Sequence, residues 1–459
     1  MEYAEKKQHQ GHFKPRLIIH GGAGNILRDK VSPEKYQAYK NALLNILSNT
    51  REFMESSASS TVEKSVTSQR TERPSALAVA TYAVEQLENS PLFNSGHGSV
   101  FTRDGINELE ASVMVSQGYR KRGVGVTGLR HVRNPIRLAR KMLEHGDEDL
   151  VTSSSSCTGK DRLDIPSAQG HTLVHGAAAE QLAEDYGLEL VDTSYFFTQE
   201  RWDEHVRALE REKAGHGLGT WDAEEYLPQG TCGAVALDET GTICVATSTG
   251  GMTNKLTGRI GDTPVPGAGF WAEEWKEDGD PTGAGLLDKM SSLLQETGPS
   301  IVLSNYIKAV LAECMGGVPR QPAPSPQQWL LNRGLRTTRA MGASGTGNGD
   351  SFMRTSALRT MAAMARWKPE PSSKAVSHVA GPGGELQKSA GERWGRTGEG
   401  AGGIIGIEAA IVRDSSGRVV EARSEVVMDY NCGGMFRAWI DDDGMEIMSI
   451  WSNTGPDEL

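Results

Sequence analysis

Cysteine is scarce in this sequence of 459 residues: Cys157, Cys232, Cys244, Cys314 and Cys432 are odd in number, widely spaced and without a CxxC pair. That excludes a disulfide framework and a cysteine zinc site, and leaves reduced thiols as the expectation. Long apolar runs are missing too. No stretch approaches the ~20 residues of a membrane helix, and the first residues (MEYAEKKQHQGHFKPR) carry no apolar core of the signal-peptide kind. No N-x-[ST] acceptor for glycosylation is present. A cytoplasmic protein without membrane contact is therefore expected. Basic blocks are absent as well, with 59 acidic against 48 basic residues and a net charge of −11, so nucleic acid is not an expected partner.

Hydrophobic residues make up only 37% of the chain, whereas glycine reaches 54. Much of the length is then turn, loop or linker. The strand pattern RLIIH (16–20) runs into the turn GGAG (21–24). Ser32-Pro33 and Pro74-Ser75 open helices, Asn134-Pro135 opens a third, and strand-like runs lie at 108–115 and 123–127. A hairpin is expected from CGAVALD, DETG and TICVATS (232–248), and final strands flank a turn at 415–417. Composition marks 203–230 as a flexible linker, 272–339 as an insertion, helical around 301–315, and 368–399 as a low-complexity linker.

Several chemistries fail for want of their motifs. GxxxxGK[ST] is absent and the glycines at 345–349 lack dinucleotide spacing; HExxH and GxSxG are absent as well. What remains is a threonine, Thr231, at the start of a strand, after Gly230 and a linker. Most threonines in such a place are simply strand formers. A hydroxyl needs a base beside it, and a free α-amine, with reference pKa ~7.7–8.0, can serve. That amine exists only if the chain is cut before Thr231.

The runs IHGGAG (19–24), PLFNSGHGSVFTRDG (91–105), NPIRLAR (134–140), GLELVDTSYFFTQERW (187–202), GTCGAVALD (230–238), TSTGGMTNKLTGRIGD (247–262), SGTGNGDSF (344–352) and NCGGMFRAW (431–439) are arranged in one order. Together they resemble the plant-type asparaginase and isoaspartyl peptidase family of N-terminal nucleophile hydrolases. The resemblance implies an α+β fold, a four-layer αββα sandwich with loop insertions, as one domain over 1–459. It also implies self-cleavage between Gly230 and Thr231 into an α chain (1–230) and a β chain (231–459), assembled as a dimer of heterodimers. The implied activity is hydrolysis of the side-chain amide of asparagine or of β-aspartyl peptide bonds.

Carried over residue by residue, Thr231 is the nucleophile and Thr249 the threonine that hydrogen-bonds it. Arg259 and Asp262 grip the substrate's α-carboxylate and α-amine, Thr346 and Gly347 form the oxyanion hole, and Gly349 is a further substrate contact. Asn94 orders the nucleophile's surroundings. The resemblance implies no required cofactor, but a sodium ion on the backbone carbonyls of Leu87, Glu88, Ser90, Phe93, Ser95 and His97. Cys232 and Gly345 depart from the residues usual there, as does the length of 272–339. A glycosylasparaginase, a taspase-like protease and a scaffold that never matures are the competing readings.

Overall fold

The computed structural model describes residues 13–56, 73–117, 121–151, 167–222, 230–277, 336–368 and 371–451. The chain falls into two compact units, the larger comprising His12–Glu274, Ala340–Ala409 and Ser424–Leu459. Every site residue described below lies in that unit. Among the described residues no helix is long and apolar enough to cross a membrane.

The fold is α+β. Twelve strands are described: β1 (Arg16–Gly24), β2 (Leu109–Val115), β3 (Gly123–Leu129), β4 (Leu173–His175), β5 (Cys232–Leu237), β6 (Ile243–Thr249), β7 (Phe270–Lys276), β8 (Arg336–Gly347), β9 (Gly402–Arg413), β10 (Val419–Tyr430), β11 (Gly434–Ile440) and β12 (Glu446–Ser449). Eight form one sheet in the order β12-β11-β1-β5-β6-β2-β3-β4, and four form a second in the order β10-β9-β8-β7. The β5–β6 hairpin expected from the sequence is present, in register from Cys232↔Ser248 to Leu237↔Ile243. Its turn is held by Asp238, whose Oδ1 accepts the N–H groups of Thr240 and Thr242 at 3.0 and 3.1 Å.

The first helices follow their capping signals. Ser32 caps α1 (Pro33–Glu55) through the Lys35 N–H, with proline in the first turn, and Ser75 caps α2 (Ala76–Glu88) through the Ala78 N–H. With α3 (Pro135–Val151) they cover one face of the large sheet, and Leu43, Leu47, Val79, Ala83 and Val84 join its fully buried core. The other face meets β8. A Cβ on Gly342 would lie 2.5 Å from Ile243 and 2.9 Å from Val245, so only glycine lets the strands approach this closely. Three residues on, Gly345 points the other way, where a Cβ would strike Phe352 and Leu358.

Two linker assignments need correction. Residues 203–213 belong to α5 (Gln199–Lys213), after α4 (Gly176–Asp185); Thr198 caps α5 and Arg201, Glu204, His205 and Ala208 are buried in it. Its polar face hides the helix from a composition reading because Arg201 and Glu204 bury as an ion pair at 2.9 Å. Residues 223–229 lie outside the described residues. In place of a linker over 368–399, α6 (Gly349–Thr355) and α7 (Ala357–Trp367) are followed by α8 (Ser372–Ala380) and α9 (Glu385–Ala390). The buried positions of α8 and α9 are small, Ala375, Val376, Val379, Ala380, Leu386 and Ala390, and give little hydrophobic signal.

The segment 272–339 is bounded by strands rather than starting and ending as an insert, since β7 covers its first residues and β8 its last. Glu273 disguises β7. Its side chain is fully buried, within 3.3 Å of Lys121, 3.1 Å of Arg359 and 2.9 Å of Arg366, so three cations offset its desolvation. The helix expected around 301–315 lies outside the described residues.

Candidate active site

Thr231 sits just ahead of β5 and is 3% exposed. Gly230, before it, lies against the GGAG residues, which were expected as a turn but form the last part of β1, kept in the ladder with β11 across an irregularity at Gly22. A Cβ on Gly230 would fall 2.4 Å from the Gly22 Cα and 2.6 Å from the Ala23 N. Gly22 itself has φ +121° at an irregularity in the β1–β11 register, a conformation that only glycine adopts without strain. The end of β1 thus packs directly against Gly230 from one side.

The Thr231 hydroxyl hydrogen-bonds the hydroxyl of Thr263 at 2.8 Å, in a buried pair. Thr249, at the end of β6, is 3% exposed, but its Oγ1 accepts the Gly251 N–H at 2.9 Å. The partner that the Thr231 hydroxyl has in the uncut chain is Thr263, which sequence reasoning missed. Thr263 directly follows Asp262, and that adjacency is the signal that could have found it. Its carbonyl accepts the Ser112 hydroxyl at 2.6 Å, which fixes the chain behind the side chain.

Thr346 and Gly347 close β8. The Thr346 hydroxyl accepts the Ala23 N–H at 3.1 Å, so it reaches the same end of β1 that packs against Gly230. Gly347 has φ +138°, and a Cβ there would lie 2.4 Å from the Ala401 carbonyl oxygen. Asn94 joins from the far side: its Nδ2 donates to the Gly251 carbonyl at 2.6 Å and its Oδ1 accepts the Val100 N–H at 3.1 Å. That ties the loop after α2 to the chain following Thr249.

Arg259, Asp262 and Gly349 are brought together. A Cβ on Gly349 would be 2.5 Å from Asp262 Oδ1 and 3.1 Å from Arg259 Nη2. Asp262 is 4% exposed, and its Oδ2 is buried with no hydrogen-bond partner. Burial pushes its carboxyl up to about 7, with Arg259 opposing and Glu110 and Asp350 adding to the rise. Arg259 Nη2 lies 3.2 Å from Asp350 Oδ1 yet makes no aligned hydrogen bond. A cation and an acid, side by side with spare hydrogen-bonding capacity, match a ligand carrying a carboxylate and an ammonium. Gly349 leaves the room for it.

Cys232 is no rival nucleophile. It is fully buried, and burial pushes its thiol up to about 12. Among the described residues no group of three or more His, Cys, Asp or Glu side chains could hold a metal. The carbonyl loop is a separate matter. Leu87 and Glu88 end α2, and the carbonyls of Leu87, Phe93 and Ser95 accept the N–H groups of Ser90, Ser95 and Gly98. Glycines draw these carbonyls in: a Cβ on Gly96 would lie 2.3 Å from the Glu88 oxygen, and one on Gly98 2.2 Å from that of Phe93. The His97 ring turns away to the Tyr195 carbonyl at 2.6 Å, leaving only its backbone for the loop.

The sequence model of the asparaginase family matches residues 13–169 and 165–285. An isoaspartyl peptidase of Salmonella typhimurium is 36% identical over 259 residues, which is 56% of this chain and 70% of that protein. Its counterpart from Escherichia coli is 36% identical over 259 residues, 56% and 68%. A plant-type L-asparaginase of Pyrobaculum calidifontis is 32% identical over 309 residues, 67% and 87%.

Proposed function

The chain belongs to the asparaginase family of hydrolases, and from that premise we propose that it cuts itself between Gly230 and Thr231 and then hydrolyses the side-chain amide of L-asparagine and β-aspartyl peptide bonds. The observation that carries this reading is the Arg259–Asp262 pair facing Gly349, next in sequence to the hydroxyl that holds Thr231. Asparagine and β-aspartyl peptides both present an α-carboxylate and an α-ammonium on the carbon next to the CH2 that bears the reacting carbonyl.

In the uncut chain the Thr231 hydroxyl attacks the Gly230 carbonyl carbon, the C–N bond breaks as the threonine nitrogen takes a proton, and water hydrolyses the resulting ester. This leaves Gly230 with a carboxylate and Thr231 with a free α-amine. In the mature enzyme that amine accepts the Thr231 hydroxyl proton as the oxygen attacks the substrate's side-chain carbonyl. Thr346 and the Gly347 N–H stabilise the oxyanion. Ammonia or the peptide amine departs with the proton, and water releases aspartate. Arg259 pairs with the α-carboxylate as a planar fork, displacing Asp350, while Asp262 takes the ammonium.

The same reading extends to architecture: a four-layer αββα sandwich, supported by β8 packing on β5–β6 with α6 and α7 behind it, and a dimer of α/β heterodimers. A sodium ion on the carbonyls of Leu87, Glu88, Ser90, Phe93, Ser95 and His97 would brace the loop that carries Asn94; the all-oxygen donor set suits such a cation. Assays of purified protein on asparagine, a β-aspartyl dipeptide and glutamine test the substrate class. Turnover of the first two, with glutamine spared, is expected, whereas a preference for glutamine overturns it.

A further inference from the structure

Glu110 is a buried acid that the mechanism above does not use. It lies on β2, 1% exposed, directly across the ladder from Thr249. Its carboxylate accepts the Gly261 N–H, at 3.0 Å to Oε1 and 3.3 Å to Oε2, and the Thr127 hydroxyl at 3.1 Å. Gly261 stands between Arg259 and Asp262. A Cβ there would meet Arg259 Nη1 at 2.9 Å and Glu110 Oε2 at 3.1 Å, so guanidinium and carboxylate flank one glycine. Lys255, itself buried with its ammonium donating to the Glu108 carbonyl at 2.9 Å, adds a second cation that feels Glu110. Burying an acid costs desolvation, which the Gly261 and Thr127 bonds and the charges of Arg259 and Lys255 offset.

We infer that Glu110 is a positioning residue for the substrate's α-carboxylate: through the Gly261 N–H and its charge beside Arg259, it fixes the segment from which Arg259 and Asp262 both project. The inference rests on the proposed reading of that pair. Glu110→Gln keeps one acceptor and the shape but removes the charge, while Glu110→Asp keeps the charge and withdraws it from Gly261.

The discriminating readout is the ratio of kcat/KM for L-asparagine to that for its α-amide, which lacks the α-carboxylate. In Glu110→Gln that ratio is expected to shrink about tenfold, through KM for asparagine, with self-cleavage intact; Glu110→Asp should fall between. Should either variant fail to fold, the other carries the test. Equal losses on both substrates, or none, overturn the role of Glu110. If the wild-type enzyme hydrolyses neither substrate, the reading beneath fails instead, and calorimetric binding of L-aspartate against its α-amide gives the same ratio.

Discussion

Thr263 is the residue whose role the sequence concealed, because its hydroxyl matters only through what lies opposite it. A 2.8 Å bond to Thr231 restricts the nucleophile's rotamer in the uncut chain. Thr263→Val keeps the volume but loses that bond, and should slow self-cleavage about ten- to a hundredfold, a cost of ~1–3 kcal/mol; a time course on a denaturing gel checks it. Unchanged cleavage would free Thr231 from this partner. Arg259→Lys should mature normally yet lose ~2–4 kcal/mol in kcat/KM on asparagine and β-aspartyl dipeptides alike, since an ammonium cannot make the two-point grip. By contrast, Thr231, Arg259 and Asp262 were legible from the sequence because the runs around them are long and ordered.

Asp262 also makes a pH prediction. Its folded pKa, about 7, lies above the ordinary 3.8. Between those values the folded state holds a proton that the unfolded state has released, so this group's contribution to stability falls as pH rises from about 4 to 7. Each pH step of displaced titration is worth about 1.4 kcal/mol. Asp262→Asn removes the penalty. In the uncleaved Thr231→Ala background, Asp262→Asn should therefore gain melting temperature over its parent as pH rises towards 7, with the gap closing near pH 4. A gap independent of pH would show that Asp262 is already ionised beside Arg259.

At the scale of elements, the β5–β6 hairpin was visible from two β-rich runs joined by an Asp/Gly turn, and the caps of α1 and α2 from serine and proline. The helix α5 and the strand β7 were not, because each buries charge: Arg201 and Glu204 neutralise one another within α5, and Glu273 is neutralised by Lys121, Arg359 and Arg366, all distant in sequence. The glycines of 21–24 read as a turn, but they continue β1 past an irregularity at Gly22, and their work on Gly230 was not visible in the sequence. Gly230→Ala would set a Cβ 2.4 Å from the Gly22 Cα, against backbone that cannot step aside. Self-cleavage in that variant should be lost or slowed at least a hundredfold, seen as one persistent band.

Across the whole molecule, the strand order is non-local and could not be read from pattern. Ile18 of β1 pairs with Trp439 on one side and Val235 on the other, so a strand before the cut is sandwiched between two strands after it. β2, also before the cut, pairs with β6. Cleavage at Gly230 therefore severs one peptide while these ladders remain, and the fragments should part only on denaturation. The most direct test of the account is the intact mass and N-terminal sequence of those fragments from active protein. The account predicts a fragment beginning at Thr231, with both that fragment and hydrolysis absent in Thr231→Ala; full activity from an uncut chain, or a fragment beginning elsewhere, would contradict it.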